Sequence, residues 1–318
     1  EANKNIAVSN PENANGGDIA FLFTGQGAQY HGMCRAYYEN EPVFKKAVDD
    51  CAHVLDALLE IPIKEILFGT DTDATFIDQT AYTQPALFVV EYALAKFWQS
   101  KGIFPAAVVG HSVGEFVALV ISEAMTLEEG LKLIAIRGKL MQSLDSNAGS
   151  MAAVFASETE IKPYLETFGG KVDIAAVNAP KVVTISGEKE AVLAACEAMK
   201  ADKIKSIALQ VSHAFHSSLM EPILQAFEQE AAKINFQTPM IPVISNVSGK
   251  ELQVEDLTPQ YFSKHLRGTV RFADDIHYLY NDLGIRIFVE CGPNPTLSGF
   301  GAKIIEDKSV VWAASRSE

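Results

Sequence analysis

Apolar residues in this chain come either in short unbroken runs or in long stretches where they recur every three or four positions. IAFLF (19–23), AAVVG (106–110) and the start of RIFVECGP (286–293) are runs of the first kind, and they predict buried strands. Residues 84–100 and 219–233 have the second spacing and predict helices. Such strands alternating with helices predict a mostly parallel sheet covered on both faces. Residues 149–211 follow a different rhythm. MAAVFA reads as a strand, ETEIKPYLETF as a helix, VDIAAVN and VVTISG as two strands, AVLAACEAMKA as a helix and IKSIALQV as a last strand. That order, βαββαβ, is the ferredoxin-like pattern. The fold class is therefore α/β: a hydrolase-like parallel-sheet core with an inserted ferredoxin-like subdomain. The core takes residues 18–146 and 212–318 and the subdomain 147–211, with hinges near Asn147 and Ser212. Residues 1–17, rich in Asn, Pro and Gly, read as a flexible leader without the basic start and apolar block of an export signal.

Composition narrows the function. The 318 residues, 48% of them apolar, can bury a sizeable core, and no apolar run approaches the roughly 20 residues that span a bilayer. A formal charge of −14 argues against nucleic acid as a partner. The excess is uneven: of 26 basic and 40 acidic side chains, 7 and 8 fall within 147–211, so the subdomain is nearly neutral. An acidic partner is repelled least on that side. Four cysteines without CxxC spacing fit reduced thiols in a cytoplasmic protein better than a zinc site or a disulfide frame, and no metal is expected.

The candidate chemistry centres on Gly110-His111-Ser112-Val113-Gly114, a G-x-S-x-G pattern between a predicted strand and a predicted helix. Its bland reading is an ordinary turn. The flanking elements favour a nucleophile, with the helix start aimed at a developing oxyanion. His213 and His216, in QVSHAFHSSLMEP, are candidate bases from the hinge-side loop, although a loop histidine is more often a solvated surface group. Thr126 and Glu129 have capping-box spacing, and in the helix they open Arg137 has Leu133, Ile134, Leu140 and Met141 three and four positions away. A guanidinium in an apolar stripe needs an anion, and an internal carboxylate, a snorkelling stem or a substrate carboxylate would each satisfy it. Gly25-Gln26-Gly27 could cradle an anion but lacks the remainder of a nucleotide-binding loop.

Taken together, FTGQGAQ, TQPALF, GHSVGE, AIRGK, NAP, HAFHSSLM, SNVSG and ECGPNPTL, in that order from about Ile19 to Ile305, resemble an acyltransferase family. It comprises malonyl-CoA:acyl carrier protein transacylases and the acyltransferase domains of polyketide and fatty acid synthases. The resemblance implies that Ser112 attacks an acyl-CoA thioester while His216 takes its proton, and that the acyl-serine then passes to the phosphopantetheine thiol of an acyl carrier protein. It implies an oxyanion hole from the amides of Gln26 and Val113, and a backbone carbonyl, that of His265, orienting the histidine. Arg137 aligns with a carboxylate-binding arginine, which selects dicarboxylic acyl groups such as malonyl. Gln84, His111 and Asn178 resemble pocket-lining positions, His111 being equally readable as packing beside the nucleophile. Phe215 in HAFH matches the malonyl-type pattern, in which a bulky ring crowds an α-branch. No bound cofactor is implied; the partners are acyl-CoA, the carrier protein and neighbouring synthase domains. Two other readings stand beside this one: an α/β-hydrolase esterase or thioesterase, which shares G-x-S-x-G, and a degenerate domain that only docks carrier proteins.

Overall fold

A computed structural model describes residues 19–70 and 74–315; the expected leader, 1–17, lies outside them. Strands β1 (Ile19–Phe23), β2 (Ala107–Gly110), β3 (Gly149–Val154), β4 (Val172–Ala179), β5 (Val182–Glu188), β6 (Ser206–Ala208), β7 (Val243–Ser245), β8 (Lys250–Glu251), β9 (Ile287–Glu290) and β10 (Val311–Ala314) form two sheets. The larger runs β10-β9-β1-β2-β7-β8 and is parallel except for the terminal β7–β8 pair.

Alternation along these strands divides the core into two layers. Phe21, Phe23, Val108, Val243 and Val289 face a layer of helices that includes Pro42–Leu55, Thr80–Ser100, Val113–Ile121, Leu127–Gln142, Glu221–Ala231 and Pro259–Arg267. Ala20, Leu22, Ala107, Val109, Ile244 and Phe288 face the other way, toward helices Phe272–Asn281 and Thr296–Ile304 and toward Ala176, Val177, Ala179 and Val182 of the smaller sheet. Strands buried on both faces become continuous apolar runs, which is why IAFLF and AAVVG show no polar alternation.

The smaller sheet is antiparallel throughout, in the order β4-β5-β3-β6. Helices Glu158–Glu166 and Lys189–Ala201 cover it through Ile161, Leu165, Val192, Ala195 and Met199. Strand order and connectivity together are those of the ferredoxin-like βαββαβ unit. Its last strand is shorter than IKSIALQV suggests: only 206–208 pair, at the sheet edge, with Ile207 exposed. We keep 147–211 as the proposed extent of this unit, because the flanking segments 143–148 and 209–217 form neither helix nor strand.

The two sheets are tied through residues 268–271. The amide of Val177 donates to the Val270 carbonyl and that of Val270 to the Ala175 carbonyl, both at 2.9 Å, and Thr269 Oγ1 donates to the Ile174 carbonyl at 2.6 Å. This short parallel bridge sets the backbone beside the candidate site.

Candidate active site

Ser112 sits where β2 ends and helix Val113–Ile121 begins, with φ 53° and ψ −102°. A residue with a Cβ adopts this conformation only when its surroundings impose it. The two glycines of the motif make the turn possible. A Cβ on Gly110 would lie 1.9 Å from the Gly114 carbonyl carbon, and one on Gly114 would lie 2.2 Å from the Phe23 carbonyl oxygen, so helix and strand approach more closely than any side chain permits.

His216 reaches this turn from the loop after β6. Its Nε2 lies 2.8 Å from Ser112 Oγ and its Nδ1 2.8 Å from the Gly268 carbonyl. A carbonyl only accepts, so Nδ1 carries the proton and Nε2 presents a lone pair to the serine hydroxyl. The imidazole is 5% exposed. Burial, then the charge of Arg137, then His111, outweigh the Gly268 carbonyl and push its pKa down to about 3, so it is neutral at pH 7. The orienting carbonyl corrects the expectation placed on His265: Gly268, three residues further on, makes the 2.8 Å contact, and the His265 carbonyl is the lesser contributor. Location on the bridged 268–271 segment explains the difference. His213, the other hinge-loop candidate, binds the Leu144 carbonyl instead, at 3.0 Å.

Arg137 comes from helix Leu127–Gln142, whose frame is fixed by the expected capping box of Thr126 and Glu129. It is 1% exposed. Its Nη2 donates to Ser112 Oγ at 3.0 Å and its Nη1 to Gln84 Oε1 at 2.8 Å, with the guanidinium carbon 5.4 Å from the centre of the Phe116 ring. Among the described residues no carboxylate lies within ion-pair distance, and Nε has no partner. Burial lowers the guanidinium's pKa to about 9 against the pull of Glu115, and it stays charged at neutral pH. The internal carboxylate left open by helical spacing is therefore absent from its contacts.

Gln84 also donates to Gln26 Oε1 at 3.4 Å, and Gln26 Nε2 donates to Thr80 Oγ1 at 3.3 Å; Thr80 in turn meets Ser212 of the histidine loop at 2.7 Å. A chain of polar contacts thus runs from Arg137 through the glycine loop to the hinge. His111 pairs through Nε2 with Asn178 Oδ1 at 2.8 Å, and Asn178 reaches Thr184 Oγ1 at 3.2 Å, so these two residues join the end of β2 to the smaller sheet. Phe215 is buried, its ring 6.0 Å from that of His213. Val113 opens the helix after Ser112. Sequence reasoning assigned no role to Gly268, Thr80, Glu115 or Asn246, and read Ser212 only as a hinge. Glu115 and Asn246 do lie inside motifs that carry the resemblance, GHSVGE and SNVSG.

The arrangement can deprotonate a serine hydroxyl and hold an anion beside it. No carboxylate bonds His216 among the described residues, which departs from the Ser-acid-His order of an α/β-hydrolase esterase. Residues 20–314 match the family model of the acyl transferase domain. The chain is 43% identical over 285 residues to the phenolphthiocerol synthesis polyketide synthase type I Pks15/1 of Mycobacterium marinum, covering 89% of this chain but 13% of that protein. Among solved structures, the acyltransferase domain from the second module of the salinomycin polyketide synthase superposes with a TM-score of 0.88 at 38% identity, over 95% of this chain and 70% of that one. The malonyl CoA-acyl carrier protein transacylase from Clostridium perfringens superposes with a TM-score of 0.87 at 31% identity, over 94% and 93% of the two chains. The chain belongs to the acyl transferase domain family.

Proposed function

We propose that the protein moves a malonyl group from coenzyme A to the phosphopantetheine thiol of an acyl carrier protein through an acyl-serine. The observation that carries this reading is Arg137: a fully buried cation, donating to the nucleophile itself and to one amide oxygen, with no carboxylate in contact. Such a group is costly until an anion arrives. A malonyl carboxylate on the guanidinium fork would place the thioester carbon next to Ser112 Oγ.

In the first half-reaction, Ser112 Oγ attacks the thioester while Nε2 of His216 takes its proton. The amides of Gln26 and Val113 stabilise the oxyanion, and CoA departs as its sulfur takes the proton back from His216. In the second, His216 deprotonates the phosphopantetheine thiol, which attacks the acyl-serine and releases Ser112 protonated. A neutral imidazole fixed by a carbonyl suits both transfers. The Gly268 carbonyl sets the tautomer without burying a second negative charge beside the incoming carboxylate. An acetyl or fatty acyl group would leave Arg137 unpaired, and the buried Phe215 ring favours malonyl over an α-branched homologue by about 1–3 kcal/mol. The similarity to the malonyl CoA-acyl carrier protein transacylase from Clostridium perfringens supports the malonyl and carrier-protein assignments. The likeness to segments of much longer synthases supports a cytoplasmic setting among neighbouring synthase domains.

Intact-mass measurement after incubation with malonyl-, methylmalonyl-, acetyl- and longer acyl-CoAs tests the reading. Malonyl should be retained on the wild type and lost in Ser112→Ala. Labelling of the Ser112→Ala protein would remove that serine from the reaction, and rapid release of free acid without a carrier protein would favour a hydrolase.

A further inference from the structure

Asn246 follows the short strand β7, 134 residues from Ser112, and takes no part in the proton transfers above. Every hydrogen-bonding group it possesses is engaged. Its Oδ1 accepts the Ser112 amide at 2.7 Å, and its Nδ2 donates to the Gly110 carbonyl at 2.7 Å and to Asp275 Oδ2 at 2.8 Å. Its own amide donates to Glu115 Oε2 at 2.8 Å, and its carbonyl accepts the Arg271 amide at 2.9 Å. The residue is 1% exposed, so water does not compete for these bonds. Only one orientation of the side-chain amide is compatible with them. Turned over, it would set NH2 against the Ser112 N–H and its oxygen against the Gly110 carbonyl.

The side chain thus bridges the two ends of the His111 peptide unit, where the chain is forced to the positive φ of Ser112. It also settles which amide is free. The Ser112 amide is taken by Asn246, that of Gly114 by the His111 carbonyl at 3.2 Å and that of Glu115 by the Ser112 carbonyl at 3.1 Å. Among the described residues, the Val113 amide alone of these four has no such acceptor. Finally, the Arg271 amide on the Asn246 carbonyl ties the turn to the 268–271 segment, whose Gly268 carbonyl holds His216. Asn246 therefore joins the turn that carries Ser112 to the segment that orients His216.

We infer that Asn246 is a positioning residue for acyl transfer: its amide clamps the Gly110 carbonyl and the Ser112 N–H, aims Oγ at His216 and leaves the Val113 N–H for the oxyanion. Asp275, fully buried behind it, fixes the direction of that amide.

The inference rests on the acyl-serine reading, and the experiment separates the two. Single-turnover acylation by malonyl-CoA and labelling of Ser112 by a fluorophosphonate are measured for the wild type, Asn246→Asp, Asn246→Ala, Asp275→Asn and the double variant Asn246→Asp/Asp275→Asn, with folding checked by circular dichroism. Asn246→Asp keeps the acceptor for Ser112 but turns an oxygen toward Gly110 and Asp275. Its acylation rate should fall about 100-fold with the malonyl-CoA KM within about 3-fold, and fluorophosphonate labelling should fall in parallel. The double variant restores a donor opposite the new carboxylate and should recover about 10-fold of that loss relative to Asp275→Asn. If Asn246→Asp does not fold, Asn246→Ala carries the same expectation of a rate loss without a KM change. Wild-type rates in a folded Asn246 variant, a loss confined to KM, or a double variant no faster than Asn246→Asp would each overturn the assignment. A wild type that no acyl-CoA acylates would instead remove the acyl-serine reading beneath it.

Discussion

Two arginines, one beside Ser112 and one between the two sheets, are held in opposite ways. Arg271 is partly exposed and makes contacts with Glu158 at 2.9 and 3.0 Å and with Asp274 at 2.7 Å. Burial lowers its pKa, but the two carboxylates outweigh burial and raise it. Arg137 is buried deeper and touches no carboxylate, only the Ser112 hydroxyl and the Gln84 amide oxygen, and burial outweighs the more distant pull of Glu115. The junction arginine is a satisfied ion pair that joins helix Glu158–Glu166 to the segment entering helix Phe272–Asn281. The arginine at the nucleophile is unsatisfied by the protein. A fold can hold a cation that way only at a cost in stability, and the difference supports the proposal that the first group is architecture and the second a receptor for an anion.

Four experiments sharpen or break this contrast. The largest effect belongs to Arg137→Ala, which should lower malonyl acylation by about 10³-fold while leaving the thermal midpoint unchanged or raised, because a buried cation without an anion is removed. Acetyl transfer should rise in the same variant. Unchanged malonyl kinetics would make Arg137 as structural as Arg271.

Next is the acid limb of Ser112 reactivity. His216, held down to about 3, stays unprotonated between pH 8 and 5, so fluorophosphonate labelling of the wild type should not fall across that range. Burial is the first cause of that depression and Arg137 the second. Removing Arg137 raises the imidazole's pKa while burial still holds it down, so the loss of labelling by protonation should begin at a higher pH in Arg137→Ala than in the wild type. Glu115, pushed up to about 7 by burial, titrates in the same window, and the series is therefore repeated with Glu115→Gln. An acid limb at the same pH with and without Arg137 would show that its charge does not reach the imidazole.

Arg271→Ala should destabilise the protein by about 1 kcal/mol in urea unfolding and leave acylation within about threefold, since the pair is partly exposed and only the backbone of Arg271 touches Asn246. A large loss of acylation without loss of stability would reverse the roles of the two arginines. The smallest effect is reserved for the exposed Lys200, Lys203 and Lys205 of the nearly neutral subdomain. Reversing their charge should raise the KM for the carrier protein about threefold at low salt, less at high salt, without touching the first half-reaction. Equal loss in both halves would take the lysines out of docking.

Much of this site was readable along the chain because the features involved are local. Gly110 and Gly114 flank Ser112 within one strand-to-helix turn, and Arg137 shows its apolar surroundings through helical spacing alone. β7 and β8 have no such signature. Segments of three and two residues are too short to display a period, and they become strands only by pairing with β2 and with each other. The shortening of β6 has the same origin, since the sheet edge gives IKSIALQV one neighbour, β3, and three paired residues.

Local order in the chain was enough for the two layers of secondary structure, the nucleophile's turn and the burial of one cation, because each arises from residues within a few positions of one another. Which histidine meets Ser112, whose carbonyl turns that histidine, and which amide clamps the turn were decided by contacts 104, 52 and 134 residues apart. No periodicity encodes such distances; they exist only once β4 has paired with residues 268–271 and β7 has taken its place beside β2.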